Sequence, residues 1–243
     1  ELYMPANTVL PLNPLANNGI IIGDETFQIN SKRVYFPSAA NKNKIGVSIH
    51  ITVDAITDHA RENFVNFFAL QVNFNNDTWA HGGFQSHLVN WGGLAKHGGG
   101  QLDYNAISLH QAAQLDILKI QNETDEIRNQ PFDYVVGKEY IYEIKRLDQE
   151  IFPAGQNVRV IGGGVLVTPT VERKMYVWEF TVKPADGNGP SVRSFLYNSA
   201  SYFDFFCVWN EIRHNEGQLT SWSNPRYTKE DGSVVTPTDW SRY

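Results

Sequence analysis

The chain has 243 residues, of which 19% are charged and 13% aromatic, and its net charge at pH 7 is −6. The negative charge, without any cluster of Lys or Arg, argues against a nucleic acid partner, and no apolar run approaches the ~20 residues that cross a bilayer. We therefore expect no nucleic acid and no membrane partner, and a single domain over residues 1–243, since β-sandwiches of this length often form one domain.

The first residue and the single cysteine suggest where the chain works. The sequence begins at Glu1 instead of Met, which fits a chain whose signal peptide has been removed, so we expect a secreted, extracellular monomer. Cys207 lies in the apolar run 203–209 and has no second cysteine to pair with. It is therefore expected to be a small buried residue and not a nucleophile.

Alternation of apolar and polar residues with a period of two runs through most of the chain. In 47–54, apolar side chains occupy every second position, which predicts a strand with one face in the core. The same pattern predicts strands at 67–74, 140–145, 158–160, 165–167, 175–182, 191–197 and 203–212. Helix signals are few, and 108–119 is predicted to be a short helix or a loop with one or two turns.

Regularly spaced strands with almost no helical pattern predict an all-β fold. We expect two packed antiparallel sheets, a β-sandwich or jelly roll with a concave ligand-binding face. Seven glycines between residues 82 and 100 predict a sharply bent strand or a long hairpin, in which backbones approach closely. Prolines near both ends, among them Pro225 and Pro237, predict tails that lie along the body.

Two short segments carry the strongest candidates for a site. In Gln85-Ser86-His87, strand alternation would place Gln85 and His87 on one face, about 7 Å apart, and His50 would join them if 47–54 is a neighbouring strand. In 193–198, Arg193 and Tyr197 would share a strand face. A guanidinium can bind a carboxylate with two hydrogen bonds, and a tyrosine can transfer a proton. The alternatives are ordinary surface positions for the histidines and Arg193 and a half-buried position for Tyr197.

These segments resemble the jelly-roll alginate lyases, whose motifs are Gln-Ile/Val-His and Tyr-Phe-Lys-Ala-Gly-Val-Tyr-Asn-Gln. Gln85 and His87 match the first motif, while Arg193, Tyr197 and Asn198 match the Lys, Tyr and Asn of the second. The family's early Arg-(Ser/Thr)-Glu-Leu motif is missing here. The length and the separate histidine on a predicted polar strand face are more similar to the glucuronan lyases.

The resemblance implies a polysaccharide lyase that cleaves a uronate-containing polymer by β-elimination and requires no redox cofactor. Hydrogen-bond donors would neutralise the uronate carboxylate, a base would remove the C5 proton, and an acid would protonate the leaving oxygen. The implied roles are donors Gln85 and Arg193, base His87 or His50, and acid Tyr197 or Tyr202. The side chains expected to contact substrate are Tyr202, Trp91, Trp79 and Gln101.

Three alternatives remain open from the residues. A carbohydrate-binding, lectin-like sandwich would use aromatic platforms for sugar rings, namely Trp79, Trp91, Tyr104 and Trp178. A glycoside hydrolase would need two facing carboxylates, for which Glu143 and Glu179 are candidates. No His or Cys spacing suggests a transition metal, although a structural calcium ion at Asn75, Asn76 and Asp77 is conceivable.

Overall fold

β-Strands dominate the protein in its computed structural model. The structure describes residues 27–29, 33–62, 66–76, 78–97, 100–103, 117–119, 129–156, 158–159, 166–167, 172–212 and 218–242. Within them the strands are β1 (Phe27–Ile29), β2 (Val34–Tyr35), β3 (Lys44–Ala55), β4 (Asn66–Phe74), β5 (Trp79–Gln85), β6 (Leu88–His97), β7 (Gly100–Asp103), β8 (Ile117–Lys119), β9 (Asn129–Pro131), β10 (Glu139–Phe152), β11 (Val158–Arg159), β12 (Leu166–Val167), β13 (Arg173–Pro184), β14 (Val192–Asn198), β15 (Phe203–Ile212), β16 (Leu219–Lys229), β17 (Val234–Val235) and β18 (Ser241–Arg242).

Helical structure in the described ranges is limited to short segments. There, the helix α1 (Asp58–Glu62) has five residues, and one 3-10 turn spans Pro37–Ala39. Among the described residues, no helix has the length and apolar character that crossing a membrane requires. The fold is therefore all-β, as the alternating pattern predicts.

Sixteen strands hydrogen-bond into one antiparallel sheet, and β11 and β12 form a separate hairpin. The main path runs β7-β6-β5-β4-β15-β3-β10-β13-β14-β8, with β2 attached to β15, β9 to β6, and β16 to β3. The sheet is nearly barrel-shaped. All-β antiparallel architecture is thus confirmed, whereas the division into two jelly-roll sheets stays a prediction.

The core lies between two sets of strands that face each other. Strands β4 to β6 pack across it against β10 and β13: Trp91 stacks on Phe180 at 5.2 Å, and Phe74 meets Trp178 at 4.9 Å between ring centroids. The Tyr142 hydroxyl accepts a hydrogen bond from the backbone N–H of Phe84 at 2.8 Å. Every second residue of these strands therefore points into this core, while the residues between them lie on the other side of the sheet; in β4 those residues are largely buried as well, among them Ala69 and Gln71.

The two sets of strands meet where β3 adjoins β15. The only register pair between these strands in the described chain is Lys44 with Phe203. Lys44 is fully buried, and its ammonium donates to the backbone carbonyl of Asp204 and lies 5.6 Å from the ring centroids of Phe203 and Tyr227. Burial lowers the pKa of Lys44 to about 8.

Two glycines hold β5 against its neighbours. A Cβ atom on Gly83 would lie 1.8 Å from the backbone oxygen of Phe68, and one on Gly82 would lie 2.5 Å from the Phe180 ring. The β5–β6 hairpin therefore needs glycine at both positions, in agreement with the close backbone approach and the long hairpin expected from the glycine-rich segment.

The eight predicted strands are observed, but the expectation for Pro225 is wrong. Pro225 lies inside β16, an 11-residue strand paired with β3, and not in a terminal tail. It occupies a register shift between Ser223 and Arg226, next to Asn224 with φ 51°, where a ladder hydrogen bond is not required. In the predicted helix 108–119, residues 117–119 form β8 and the others lie outside the described residues.

Candidate functional site

One outward surface of the sheet carries several partly exposed aromatic rings. It is formed by the outward positions of β5, β4, β15 and β2, between their core residues. Register aligns these positions in three rows across the strands: Trp79, Asn73 and Phe205; His81, Gln71, Cys207 and Tyr35; and Gly83, Ala69 and Trp209. We call this surface the aromatic face.

His81 lies at the centre of the aromatic rings. Its ring centroid is 4.8 Å from that of Trp79, 4.9 Å from that of Phe67 and 5.5 Å from that of Trp209. Phe67 and Trp209 also contact each other edge to face at 5.3 Å. The rings thus support one another. Trp79, His81 and Trp209 are partly exposed and offer apolar faces that suit sugar rings, whereas Phe67 and the ring nitrogens His81 Nδ1 and Trp209 Nε1 are buried.

A cavity of about 350 Å³ adjoins the aromatic face. Tyr35 and Phe205 belong to both, because they line the cavity and also stand at the ends of two of the rows. The cavity is lined by Tyr35, Phe36, Pro37, Ala40, Phe205, Phe206 and Ser241. Its size is at the lower end of small-ligand sites, roughly 300 Å³ and above, and its walls are mainly apolar, as such sites usually are.

Polar groups are held in fixed positions between the rings. Gln71, only 5% exposed, donates from its side-chain amide to the Asn73 Oδ1 at 3.0 Å, which orients the Asn73 amide between Trp79 and Phe205. A fixed amide beside two aromatic rings can exchange hydrogen bonds with a ligand hydroxyl while the rings cover its apolar atoms.

Arg33 borders the aromatic face at Trp209. Its guanidinium carbon lies 5.7 Å from the Trp209 ring centroid, within cation–π range. A hydrogen bond with the Tyr35 side chain raises the pKa of Arg33 above its ordinary value. The side chain itself is exposed. Arg33 is therefore a permanent, positioned positive charge at the edge of the rings.

The opposite outward surface carries charged side chains instead of rings. It is formed by β3, β10, β13 and β14, and we call it the charged face. Its ionisable members in register are His50, Glu139, Glu143, Lys145, Glu179, Lys183 and Arg193. His50 Nδ1 lies 3.1 Å from a Glu139 carboxylate oxygen, and Lys183 Nζ lies 3.6 Å from Glu143. Glu143 and Glu179, the candidates for a pair of hydrolase carboxylates, thus lie on the same outward face.

Glu179 is the buried centre of the charged face. Its carboxylate, 3% exposed, accepts hydrogen bonds from Arg193 at 2.5 Å and from the Thr181 hydroxyl at 2.9 Å, and Lys145 Nζ lies 3.5 Å away. Burial raises the pKa of Glu179, but these hydrogen bonds and positive charges more than reverse the effect, so the pKa lies below its ordinary value. Glu179 is therefore an ionised structural carboxylate.

Tyr197 shares the strand face of Arg193, as predicted, but it is fully buried. Its hydroxyl donates to a carboxylate oxygen of Glu150 at 2.6 Å, and its ring meets Phe152 edge to face at 5.0 Å. Tyr202, the alternative proton donor, is partly exposed in the loop between β14 and β15. The proposed acid Tyr197 is thus already bound to a carboxylate of the chain.

His87 does not lie on a strand. β5 ends at Gln85, which pairs with Leu88, so Ser86 and His87 form the turn of the β5–β6 hairpin. The His87 Nδ1 lies 2.5 Å from Asp133 and its Nε2 lies 3.1 Å from Glu62. The hydrogen bonds with these two carboxylates raise the pKa of His87. His87 therefore fastens the hairpin turn to α1 and to the chain after β9.

The predicted catalytic residues are not brought together. Gln85 lies on the outward side of β5, the side of the aromatic face, because it follows the core residue Phe84. Arg193 and Tyr197 lie across the core, on the charged face. His50 is also there, since β3 pairs with β10, β15 and β16 and not with β5. Two expectations are therefore wrong: that His87 shares a strand face with Gln85, and that His50 lies on a strand next to both of them.

The predicted sugar contacts also separate. Trp79 lies on the aromatic face, but Trp91 and Trp178 are fully buried in the core, so neither offers a ring to a ligand in this arrangement. Gln101 lies on β7, and its side chain and Tyr104 are outside the described residues. Sequence alternation alone could not distinguish Trp79 from Trp91, since the two lie on strands of similar composition.

The suggested calcium ligands belong to a hydrogen-bonded turn. The Asn76 Oδ1 accepts from the Thr78 hydroxyl at 2.6 Å, and its Nδ2 donates to Asn198 at 2.8 Å. Asn198, the last residue of the Tyr-Asn match, is buried in this network, and Asp77 lies outside the described residues. In the part of the chain that the structure describes, no group of three or more His, Cys, Asp or Glu residues is placed to hold a metal ion.

Known proteins do not identify the chain. No family model and no curated protein matches it. The geometry of the two faces is therefore the basis for a functional assignment.

Several members of the aromatic face were not among the residues singled out in the sequence. Trp209 and Phe205 lie in a correctly predicted strand, and alternation with the core residues Phe206 and Val208 shows that they point outward. The missing information was which strands lie beside β15, because only the pairing with β4 and β2 brings Tyr35 next to them.

Proposed function

We propose that this protein is a carbohydrate-binding β-domain that holds a polysaccharide on its aromatic face. The observation that supports this proposal is the continuous arrangement of Trp79, His81 and Trp209 beside the cavity of Tyr35 and Phe205. Partly exposed rings that support one another lose little side-chain entropy on binding, because they are already fixed.

The shape of the aromatic face suits an extended ligand. Its middle row crosses four strands, β5, β4, β15 and β2, and adjacent strands lie about 4.8 Å apart, so the face extends over about 14 Å there. Rings stand at both ends of the first row, with the Asn73 amide between them. A chain of several sugar rings can therefore contact apolar and polar groups in alternation.

The proposal includes a two-sheet, jelly-roll-like sandwich and a secreted protein. The single register pair between Lys44 and Phe203, together with ring packing of β4 to β6 on β10 and β13, supports a division of the sheet into two layers. A polysaccharide ligand favours a location outside the cell.

Isothermal titration calorimetry of the purified chain against a panel of plant and algal polysaccharides tests the proposal. Trp79→Ala and Trp209→Ala are each expected to weaken binding about tenfold or more, as loss of a central aromatic contact does. The matched control is Val234→Ala on β17, an apolar side chain that is 64% exposed away from this face. Unchanged affinity in both tryptophan variants would show that the aromatic face is not the site.

β-Elimination at a uronate is the second candidate function. The observation that favours it is the shared strand face of Arg193 and Tyr197, with His50 on the same side of the sheet. It ranks second because the Arg193 guanidinium is bound to Glu179 and the Tyr197 hydroxyl to Glu150. An increase in ultraviolet absorbance from the unsaturated uronate product, abolished by Tyr197→Phe, would place it first.

A further inference from the structure

Arg33 places a positive charge at the edge of the aromatic face. Arg33 stands next to Trp209, and none of the residues in the three register rows of the face is a carboxylate; Glu211, which pairs with Phe67 beyond the Trp209 row, has its side chain outside the described residues. The chain as a whole carries a net charge of −6, so this local balance is opposite to that of the whole protein.

Arg33 differs from most of the other arginines whose contacts are described. Three of them form ion pairs with carboxylates: Arg61 with Asp133, Arg146 with Glu230, and Arg193 with Glu179. Arg33 has no ion pair within the described part of the chain, and its contacts are the Trp209 ring and the Tyr35 side chain. These two contacts fix the guanidinium without neutralising its charge.

A guanidinium held on an aromatic ring can still use its edge. The cation–π contact uses the flat face of the guanidinium. Its N–H donors lie in the plane of the group and point outward from its edge. They match the two oxygens of a carboxylate or a sulfate, and such charge-assisted hydrogen bonds are stronger than neutral ones. A sugar ring seated at Trp209 would bring its substituents to Arg33.

We propose that the polysaccharide bound on the aromatic face is anionic, and that Arg33 pairs with a carboxylate or sulfate group of the sugar that stacks beside Trp209. This inference rests on the carbohydrate-binding function proposed above and specifies its ligand. Arg33 selects the charged polymer, and the rings supply affinity that neutral and charged polymers share.

Titration calorimetry with matched polymers tests the role of Arg33. The probes are polygalacturonate and its methyl ester, which share a backbone, and a sulfated galactan with its desulfated form. Wild type is expected to prefer at least one charged member of a pair, and Arg33→Gln to lose about tenfold in affinity for it with little change for the neutral member. If the preference appears with the polygalacturonate pair, the anionic group is a carboxylate. If it appears with the galactan pair, the group is a sulfate.

Two further variants separate the possible failures. Lys183→Gln removes a partly exposed positive charge on the charged face, across the core, and is expected to leave the preference intact. If Trp209→Ala abolishes binding while Arg33→Gln affects charged and neutral polymers equally, Arg33 does not select charge and only this inference fails. If no polymer binds, or if Trp209→Ala has no effect, the carbohydrate-binding function fails together with it. Thermal unfolding of each variant checks that the fold is retained.

Discussion

The two outward surfaces of the sheet differ in how their polar groups are satisfied. On the charged face, Glu179 is surrounded by Arg193, Lys145 and Thr181, so its charge is neutralised within the protein. On the aromatic face, Arg33 lies against Trp209 without an ion pair in the described chain. A surface that satisfies its own charges contributes to stability, whereas one that leaves rings and a charge partly exposed has contacts to offer a ligand.

From this difference we expect different roles for the two faces, although the segment with Arg193 and Tyr197 points to the charged one. The Arg193 and Tyr197 segment matches a lyase motif, yet both side chains are bound to carboxylates of the chain. We therefore expect substitutions on the charged face to change the free energy of unfolding and substitutions on the aromatic face to change binding.

The largest effect on stability is expected at Gly83, where the backbones of β4 and β5 approach most closely beneath the aromatic face. In Gly83→Ala, the new Cβ would lie 1.8 Å from the Phe68 carbonyl oxygen, and no side-chain movement relieves a contact with backbone. We expect a loss of about 3 kcal/mol in the free energy of unfolding, with reduced polysaccharide binding as β4 and β5 separate. Urea denaturation followed by circular dichroism measures the loss.

Gly46→Ala is the matched control for this substitution. Its Cβ would lie 3.3 Å from the Thr228 hydroxyl, a side-chain atom that can move slightly. We expect it to cost less than about 1 kcal/mol. Equal stability of the two alanine variants would contradict the close packing of β4 and β5.

A smaller effect is expected from the buried carboxylate of the charged face. Glu179→Gln keeps the shape but removes the charge that Arg193 and Lys145 share, and we expect a loss of about 2 kcal/mol at neutral pH with unchanged polysaccharide affinity. Because the folded-state pKa of Glu179 is lowered, its contribution is present at neutral pH and disappears as the pH falls through that pKa. Denaturation at several acidic pH values should therefore bring wild type and variant together.

Glu143→Gln serves as the control on the same face. Glu143 is 32% exposed and 3.6 Å from Lys183, and exposed ion pairs contribute less than about 1 kcal/mol. If this variant lost as much stability as Glu179→Gln, burial would not explain the importance of Glu179. A loss of binding in Glu179→Gln would favour the charged face as the site.

Strands could be predicted from the sequence because alternation is a local signal. In β3, four apolar residues at every second position are sufficient to place one face in the core. The turn at Ser86 and His87 could not be predicted in this way, since Ser86 adopts a positive φ of 53° without the Asn or Gly that usually marks such a turn. Alternation therefore predicts a strand that continues to His87, two residues beyond the observed end of β5 at Gln85.

The candidate site depends on long-range register, which no local pattern contains. Trp79, Phe205 and Tyr35 become neighbours only because β4 lies between β5 and β15, and because β2 pairs with β15. Similarly, Glu179 and Arg193 are adjacent through the pairing of β13 with β14. The sequence shows which residue types could form a site. It does not show which of those residues lie on the same face.

The smallest effect is expected at Lys44, where the two sets of strands meet. Burial lowers its folded-state pKa to about 8 from an ordinary 10.5, so the unfolded chain binds more protons in the interval between these values. Stability should therefore rise with pH there, by about 1 kcal/mol from pH 8 to about pH 9. Lys44→Met should remove this rise, and denaturation at both pH values measures it.

Because of Cys207, the difference in unfolding free energy between wild type and Lys44→Met is more informative than the pH dependence of either protein alone. Burial raises its pKa from 9.0 to about 12, so the unfolded chain loses a proton first and stability should fall as the pH rises above about 9. This opposing effect is common to wild type and Lys44→Met, and subtraction removes it. A difference that stays constant with pH would mean that the Lys44 ammonium is solvated, and that the junction of the two faces is more open than its buried position between Phe203 and Tyr227 implies.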